Sequence, residues 1–84
     1  PPSIGVTSSN GQTTVYASWN GSTQTARWQV YSGSKRNKMS PVGSAIKDGF
    51  ETAIPVAGKG PYFQVKALNA GGKVIGESRI IKLD

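Results

Sequence analysis

Thr13-Thr14-Val15-Tyr16-Ala17-Ser18-Trp19 is the stretch whose reading decides the fold. Val15, Ala17 and Trp19 alternate with Thr14, Tyr16 and Ser18. Successive side chains of a β-strand point to opposite faces, so this period of two predicts a half-buried strand with Trp19 at its inward end. An inward Trp on one sheet needs a second layer above it. Two other stretches offer that layer. Residues 25–31 place Ala26, Trp28 and Val30 on one face and Arg27, Gln29 and Tyr31 on the other. Residues 62–68 set Phe63, Val65 and Ala67 against Tyr62, Gln64, Lys66 and Leu68.

The segments between read as strands and turns. Pro1-Pro2 fits a linker end or the start of an edge strand, because proline donates no ladder hydrogen bond. Ile4 and Val6 mark a short first strand, closed by the turn Ser8-Ser9-Asn10-Gly11. Asn20-Gly21-Ser22 ends the Trp19 strand. Ser32-Gly33-Ser34 is expected to end the third strand, with Lys35-Arg36-Asn37-Lys38 as a basic loop. Pro41 and Gly43 reduce residues 39–46 to a short, irregular edge strand. Asp48-Gly49 is a turn. Phe50, Thr52, Ile54 and Val56 then alternate, with Pro55 interrupting. Gly58-Lys59-Gly60-Pro61 and Asn69-Ala70-Gly71-Gly72 are connections. Val74-Ile75 and residues 78–83 form the last strand or hairpin arm, with Ile81 and Leu83 inward, or Ile80 inward through a bulge. No window has a helical period, and turn residues recur about every eight to twelve positions, the spacing of an all-β sandwich. The expected core is Val15, Ala17, Trp19, Trp28, Val30, Ile54, Phe63, Val65 and Ala67.

Composition narrows the chemistry. The 84 residues are expected to make one domain over 1–84. Such a chain buries only about 60–65% of its unfolded surface, so its core is small. There is no cysteine and no histidine, which removes disulfides, thiolate sites, thiol catalysis and the usual general base. There is no membrane-length apolar run, and no signal peptide is expected within these residues. Ten Lys+Arg against four Asp+Glu give a net charge of +6, a balance that favours polyanions as partners. Asp48 and Glu51 flank one turn, and Glu77 and Asp84 are the other carboxylates. Turn-proximal acids on a small sandwich are expected to be solvated rather than an acid–base pair. No Gly-x-Ser-x-Gly is present. Gly58-Lys59-Gly60 and Gly71-Gly72-Lys73 lack the Gly-Lys-Ser/Thr ending of a phosphate loop and read as turns. No catalytic, cofactor or metal site is expected.

Two resemblances follow from these motifs. Ala17-Ser18-Trp19, Trp28-Gln29-Val30 and Phe63-Gln64-Val65-Lys66-Ala67-Leu68-Asn69-Ala70-Gly71-Gly72, with Ser78 opening the last strand, resemble a fibronectin type III domain. The resemblance implies a two-sheet, seven-stranded antiparallel sandwich in which the third and sixth strands are neighbours. One departure is visible. The tyrosine such domains carry near the start of strand six falls on Pro61, with Tyr62 one residue out of register. More narrowly, residues 18–23, Gly49-Phe50-Glu51-Thr52, residues 62–69 and residues 72–78 are similar to the C-terminal module of fungal arylsulfotransferase-like secreted proteins. That resemblance implies a secreted, extracellular accessory module beside a separate catalytic domain, possessing none of that domain's catalytic positions.

Two surface features carry the remaining expectations. Asn20-Gly21-Ser22 is an N-glycosylation sequon in an expected turn, which makes Asn20 a candidate acceptor. On the outer face of strands three and six, Arg27, Gln29 and Tyr31 are expected to stand beside Tyr62, Gln64 and Lys66. Tyr rings with Gln and basic donors suit a neighbouring domain or a glycan, and on a solvated face they simply pair across strands. Single-stranded nucleic acid is disfavoured, since a stacking track needs more free aromatics. The expected function is a non-catalytic packing, spacing or stabilising module, with carbohydrate or polyanion binding as the alternative.

Overall fold

The computed structural model describes residues 1–58 and 60–83. Lys59 of the expected Gly58–Pro61 connection and the carboxylate of Asp84 lie outside the described residues. The described chain is all-β: β1 (Ser3–Ser9), β2 (Gln12–Ser18), β3 (Arg27–Lys35), β4 (Lys38–Ile46), β5 (Glu51–Val56), β6 (Tyr62–Leu68), β7 (Val74–Glu77) and β8 (Ile81–Lys82). They form two antiparallel sheets. One has the order β1-β2-β5; the other has β4-β3-β6-β7, with β8 also paired to β6.

One core joins the two sheets into a sandwich-like arrangement. Val15 and Ala17 of β2 and Ile54 and Val56 of β5 meet Trp28 and Val30 of β3 and Phe63, Val65 and Ala67 of β6. The alternation that marked these strands is the cause: every second side chain of β2, β3, β5 and β6 is buried. Ile4, Val6, Ile81 and Leu83 pack around this cluster. Two β-bulges bring further apolar side chains to it. The register passes from Val30↔Gly43 to Tyr31↔Pro41, leaving Val42 as the extra residue of β4. It passes from Ala67↔Gly76 to Leu68↔Val74, leaving Ile75 as the extra residue of β7. Val42 and Ile75 both pack on the core, as expected where a bulge re-aims a side chain.

Five expectations are corrected. Ser32-Gly33-Ser34 does not end the third strand; β3 continues to Lys35 because both β4 and β6 pair with it there. The expected basic loop is therefore a tight hairpin, with only Arg36 and Asn37 between the strands. Residues 38–46 form a nine-residue edge strand rather than a short one. Trp19 lies beyond the last residue of β2 and is half-buried, packed against the core rather than within it. A Cβ on Gly76 would stand 2.6 Å from its ring, so the indole lies on bare glycine backbone. Phe50 is 74% exposed. Register pairs Glu51 with Ser18, the end of β2, so Phe50 has no strand opposite it.

The described residues form eight strand segments where seven strands were expected, with residues 78–80 separating β7 from β8. Ser78 bridges the break. Its N–H donates to the Val65 carbonyl at 2.9 Å. Its Oγ accepts from the Val65 N–H at 3.0 Å and donates to the Arg79 carbonyl at 2.8 Å. A side-chain oxygen thus takes the place of a missing ladder acceptor. We expect Ser78→Ala to cost about 1–3 kcal/mol in urea denaturation, since it leaves the buried Val65 N–H without an acceptor.

Trp28 is 1% exposed, and among the described residues its Nε1 has no hydrogen-bond partner. Truncation to alanine is expected to cost about 3–5 kcal/mol. Trp28→Phe is expected to cost far less, because it keeps most of the aromatic packing while also removing the unpaired donor, which is worth about 1–3 kcal/mol. Denaturation midpoints of the two variants check this; equal losses would show that an aromatic ring at this position contributes no packing.

Candidate functional site

The β3–β6 ladder places the six expected surface residues on one face. Its register pairs Arg27 with Leu68, Gln29 with Lys66, Tyr31 with Gln64 and Gly33 with Tyr62. Trp28, Val30, Phe63 and Val65 point into the core, so Arg27, Gln29, Tyr31, Tyr62, Gln64 and Lys66 share the outer side of the five-stranded sheet.

Most of these side chains are held by their own neighbours. The Lys66 ammonium lies 4.4 Å from the centroid of the Tyr31 ring and 3.9 Å from a Glu77 carboxylate oxygen. Gln29 Nε2 donates to the Gly43 carbonyl at 2.8 Å. Gln64 Nε2 donates to the Ser78 carbonyl at 2.9 Å. Arg27 Nη1 makes a long contact of 3.4 Å to Ser44 Oγ, and Arg27 is itself exposed.

Tyr62 carries two cations that the sequence did not single out. The Arg36 guanidinium lies 5.4 Å from its ring centroid and the Lys82 ammonium 6.0 Å. Both positions depend on pairing distant in sequence. Lys82 is set by the register Tyr62↔Lys82 of β8 on β6. Arg36 reaches the ring because β3 and β4 close into a tight hairpin beside Gly33, the cross-strand partner of Tyr62. A side chain at Gly33 would overlap the Lys38 carbonyl, so glycine is needed for that closure. No pattern in the linear sequence links residues 36, 62 and 82. The basic run 35–38 was the only available hint.

The aromatic faces are thus occupied by cations of the same sheet. Cation–ring attraction is worth about 0.5–1 kcal/mol at exposed sites. It holds the charged ends on the rings, so the positive charge of this face gathers at Tyr31 and Tyr62. What the face presents is therefore fixed positive charge, with the Tyr rings as its support.

The opposite outer face differs in kind. Strands β1, β2 and β5 contain no Lys or Arg, and the first basic residue of the chain is Arg27. Ser3, Gly5, Thr7, Thr14, Tyr16, Ser18, Ala53 and Pro55 alternate with the inward residues there, with Glu51 as the one charge.

Asn20 is exposed in the turn after β2. The Ser22 N–H donates to the Trp19 carbonyl at 3.2 Å, and the Ser22 and Thr25 hydroxyls share a 2.7 Å hydrogen bond. Asp48 and Glu51 are both exposed, and the Asp48 N–H donates to Thr52 Oγ1 at 3.0 Å. Among the described residues no three His, Cys, Asp or Glu side chains gather, and no helix is long and apolar enough to cross a membrane. Comparison of the chain with models of protein families, with curated proteins and with solved structures gives no match. The fold and the face therefore stand on their own geometry: an all-β, two-sheet protein with one neutral and one cationic outer surface.

The Tyr31–Lys66 contact is open to direct measurement. A double-mutant cycle of Tyr31→Ala and Lys66→Ala is expected to give a coupling energy of about 0.5–1 kcal/mol. A coupling indistinguishable from zero would show that the ammonium is not held on the ring.

Proposed function

We propose that this chain is a fibronectin type III-like, non-catalytic accessory module of a secreted multidomain protein, packing against a separate catalytic unit of arylsulfotransferase-like type. The observation that carries this reading is the pairing of β3 with β6, the neighbour relation that the motifs around Trp19, Trp28 and Phe63 imply. The partition into β1-β2-β5 and β4-β3-β6-β7 also supports it. In this reading β7 and β8 are one interrupted seventh strand.

The neutral face suits the packing role. Covering a charged side chain costs heavily unless it is paired, whereas covering Ser, Thr, Gly and Ala costs little. The outer side of β1, β2 and β5 carries mostly small residues, with Tyr16 as its one large side chain and Glu51 as its one charge. Docking there leaves every cation of the other face in water.

Limited proteolysis of the natural source protein tests the reading, followed by intact-mass and N-terminal analysis. Release of this domain together with a second folded unit is expected. The second unit should then melt at least about 2 °C lower than in the joined protein. Natural material without a second folded unit, or a neighbour whose melting is unchanged by separation, would overturn the proposal.

A further inference from the structure

The geometry points to the outer face of the five-stranded sheet as a binding surface for a sulfated polysaccharide chain, with Arg36, Lys82, Lys66 and Arg27 as its cationic contacts. This inference concerns the isolated chain and does not depend on the accessory role proposed above.

Charge is its first support. Among the described residues the four cations share their face with one carboxylate, Glu77, which lies 3.9 Å from the Lys66 ammonium. Opposite them, across the core, β1, β2 and β5 carry no basic residue. These four cations and Glu77 thus give this face a net charge of +3, half of the chain's +6. A one-sided field orients an approaching polyanion and raises its local concentration.

Layout is the second. Arg36 and Lys82 gather at Tyr62, Lys66 lies four residues along β6, and Arg27 is opposite Leu68, two residues further. At the rise of an extended strand these steps are about 13 Å and about 7 Å, a track of about 20 Å along β6. The spacing is uneven, which suits a flexible chain bearing several anionic groups per repeat better than a ligand with one charge at fixed intervals. A sulfate ester remains ionised at any physiological pH, and the planar guanidinium fork of Arg36 suits two of its oxygens at once.

The third is what the aromatic rings are doing. A single-stranded nucleic acid is held by bases stacking on free aromatic faces. Here the Tyr31 ring is covered by Lys66, and the Tyr62 ring is approached by both Arg36 and Lys82. The rings position cations for a ligand that is read by its charge. Because those cations are already held, less side-chain freedom is lost on binding.

The test uses heparin as the sulfated probe, neutral dextran as the uncharged one, a single-stranded oligonucleotide and anionic lipid vesicles. Binding to the full chain is followed by calorimetry between about 50 and 200 mM salt, the range over which counterion release is resolved. Heparin is expected to bind, with log K falling linearly against log salt, and dextran is not. Two double variants of equal charge are compared. R36Q/K82Q removes two contacts from the face. K47Q/R79Q removes two cations elsewhere, Lys47 beside the Ser22 carbonyl and Arg79 beside the N-terminal segment. The first is expected to weaken heparin binding roughly tenfold at low salt and to flatten the salt slope by about two contacts, while the second leaves both nearly unchanged. Equal losses from the two variants would reduce the effect to net charge and overturn the inference. So would failure of heparin to bind, or tighter binding to the oligonucleotide or the vesicles. Melting temperatures of both variants confirm that each is folded.

Discussion

The antiparallel ladder between β3 and β6 is the constraint on which the rest of this structure depends. Its register places Trp28 opposite Ala67 and Val30 opposite Val65 on the inner side. The same register necessarily places Gln29 opposite Lys66 and Tyr31 opposite Gln64 on the outer side. A slip of one residue would exchange the two faces, putting Lys66 and Gln64 into the core and Val65 into water. Burial of Trp28, Val30, Phe63 and Val65 is therefore also what holds the cationic face together. The outer surface is not independently specified; it is the complement of the core.

Both edges of the larger sheet are adjusted to this ladder by local irregularity. The bulges in β4 and β7 turn Val42 and Ile75 toward the core, so the edge strands help cover its flanks. The break between β7 and β8 is mended by the Ser78 side chain, and the Ser78 carbonyl in turn anchors Gln64 on the outer face. One residue thus serves the backbone ladder and the surface at once. Bulges and breaks of this kind also blunt exposed sheet edges, which otherwise invite pairing with other chains.

The two outer faces divide the physical properties of the molecule. The face of β1, β2 and β5 has no basic residue, and the face of β4, β3, β6, β7 and β8 holds Arg36, Lys66 and Lys82 on tyrosine rings. A sandwich-like fold suits such a division because its two outer surfaces are separated by the full thickness of the core. One side can be covered without neutralising the other.

The sequence alone determined the strands with unbroken alternation. β2 and β6 were legible because polar and apolar residues follow one another without exception, and the same pattern marked most of the core and the six residues of the outer face. It failed where local chemistry and tertiary pairing disagree. Ser32-Gly33-Ser34 has the composition of a turn, yet Ser32 is buried, accepts the Gly60 N–H at 3.0 Å, and continues as strand because β4 and β6 flank it. Trp19 and Phe50 had the right period but lie where the ladder has run out of partners. Arg36 and Lys82, the cations that complete the face, were invisible because their positions depend on hairpin closure and on the β8 register. Alternation fixes which way a side chain points along its own strand. Only the pairing of strands distant in sequence decides which side chains become neighbours.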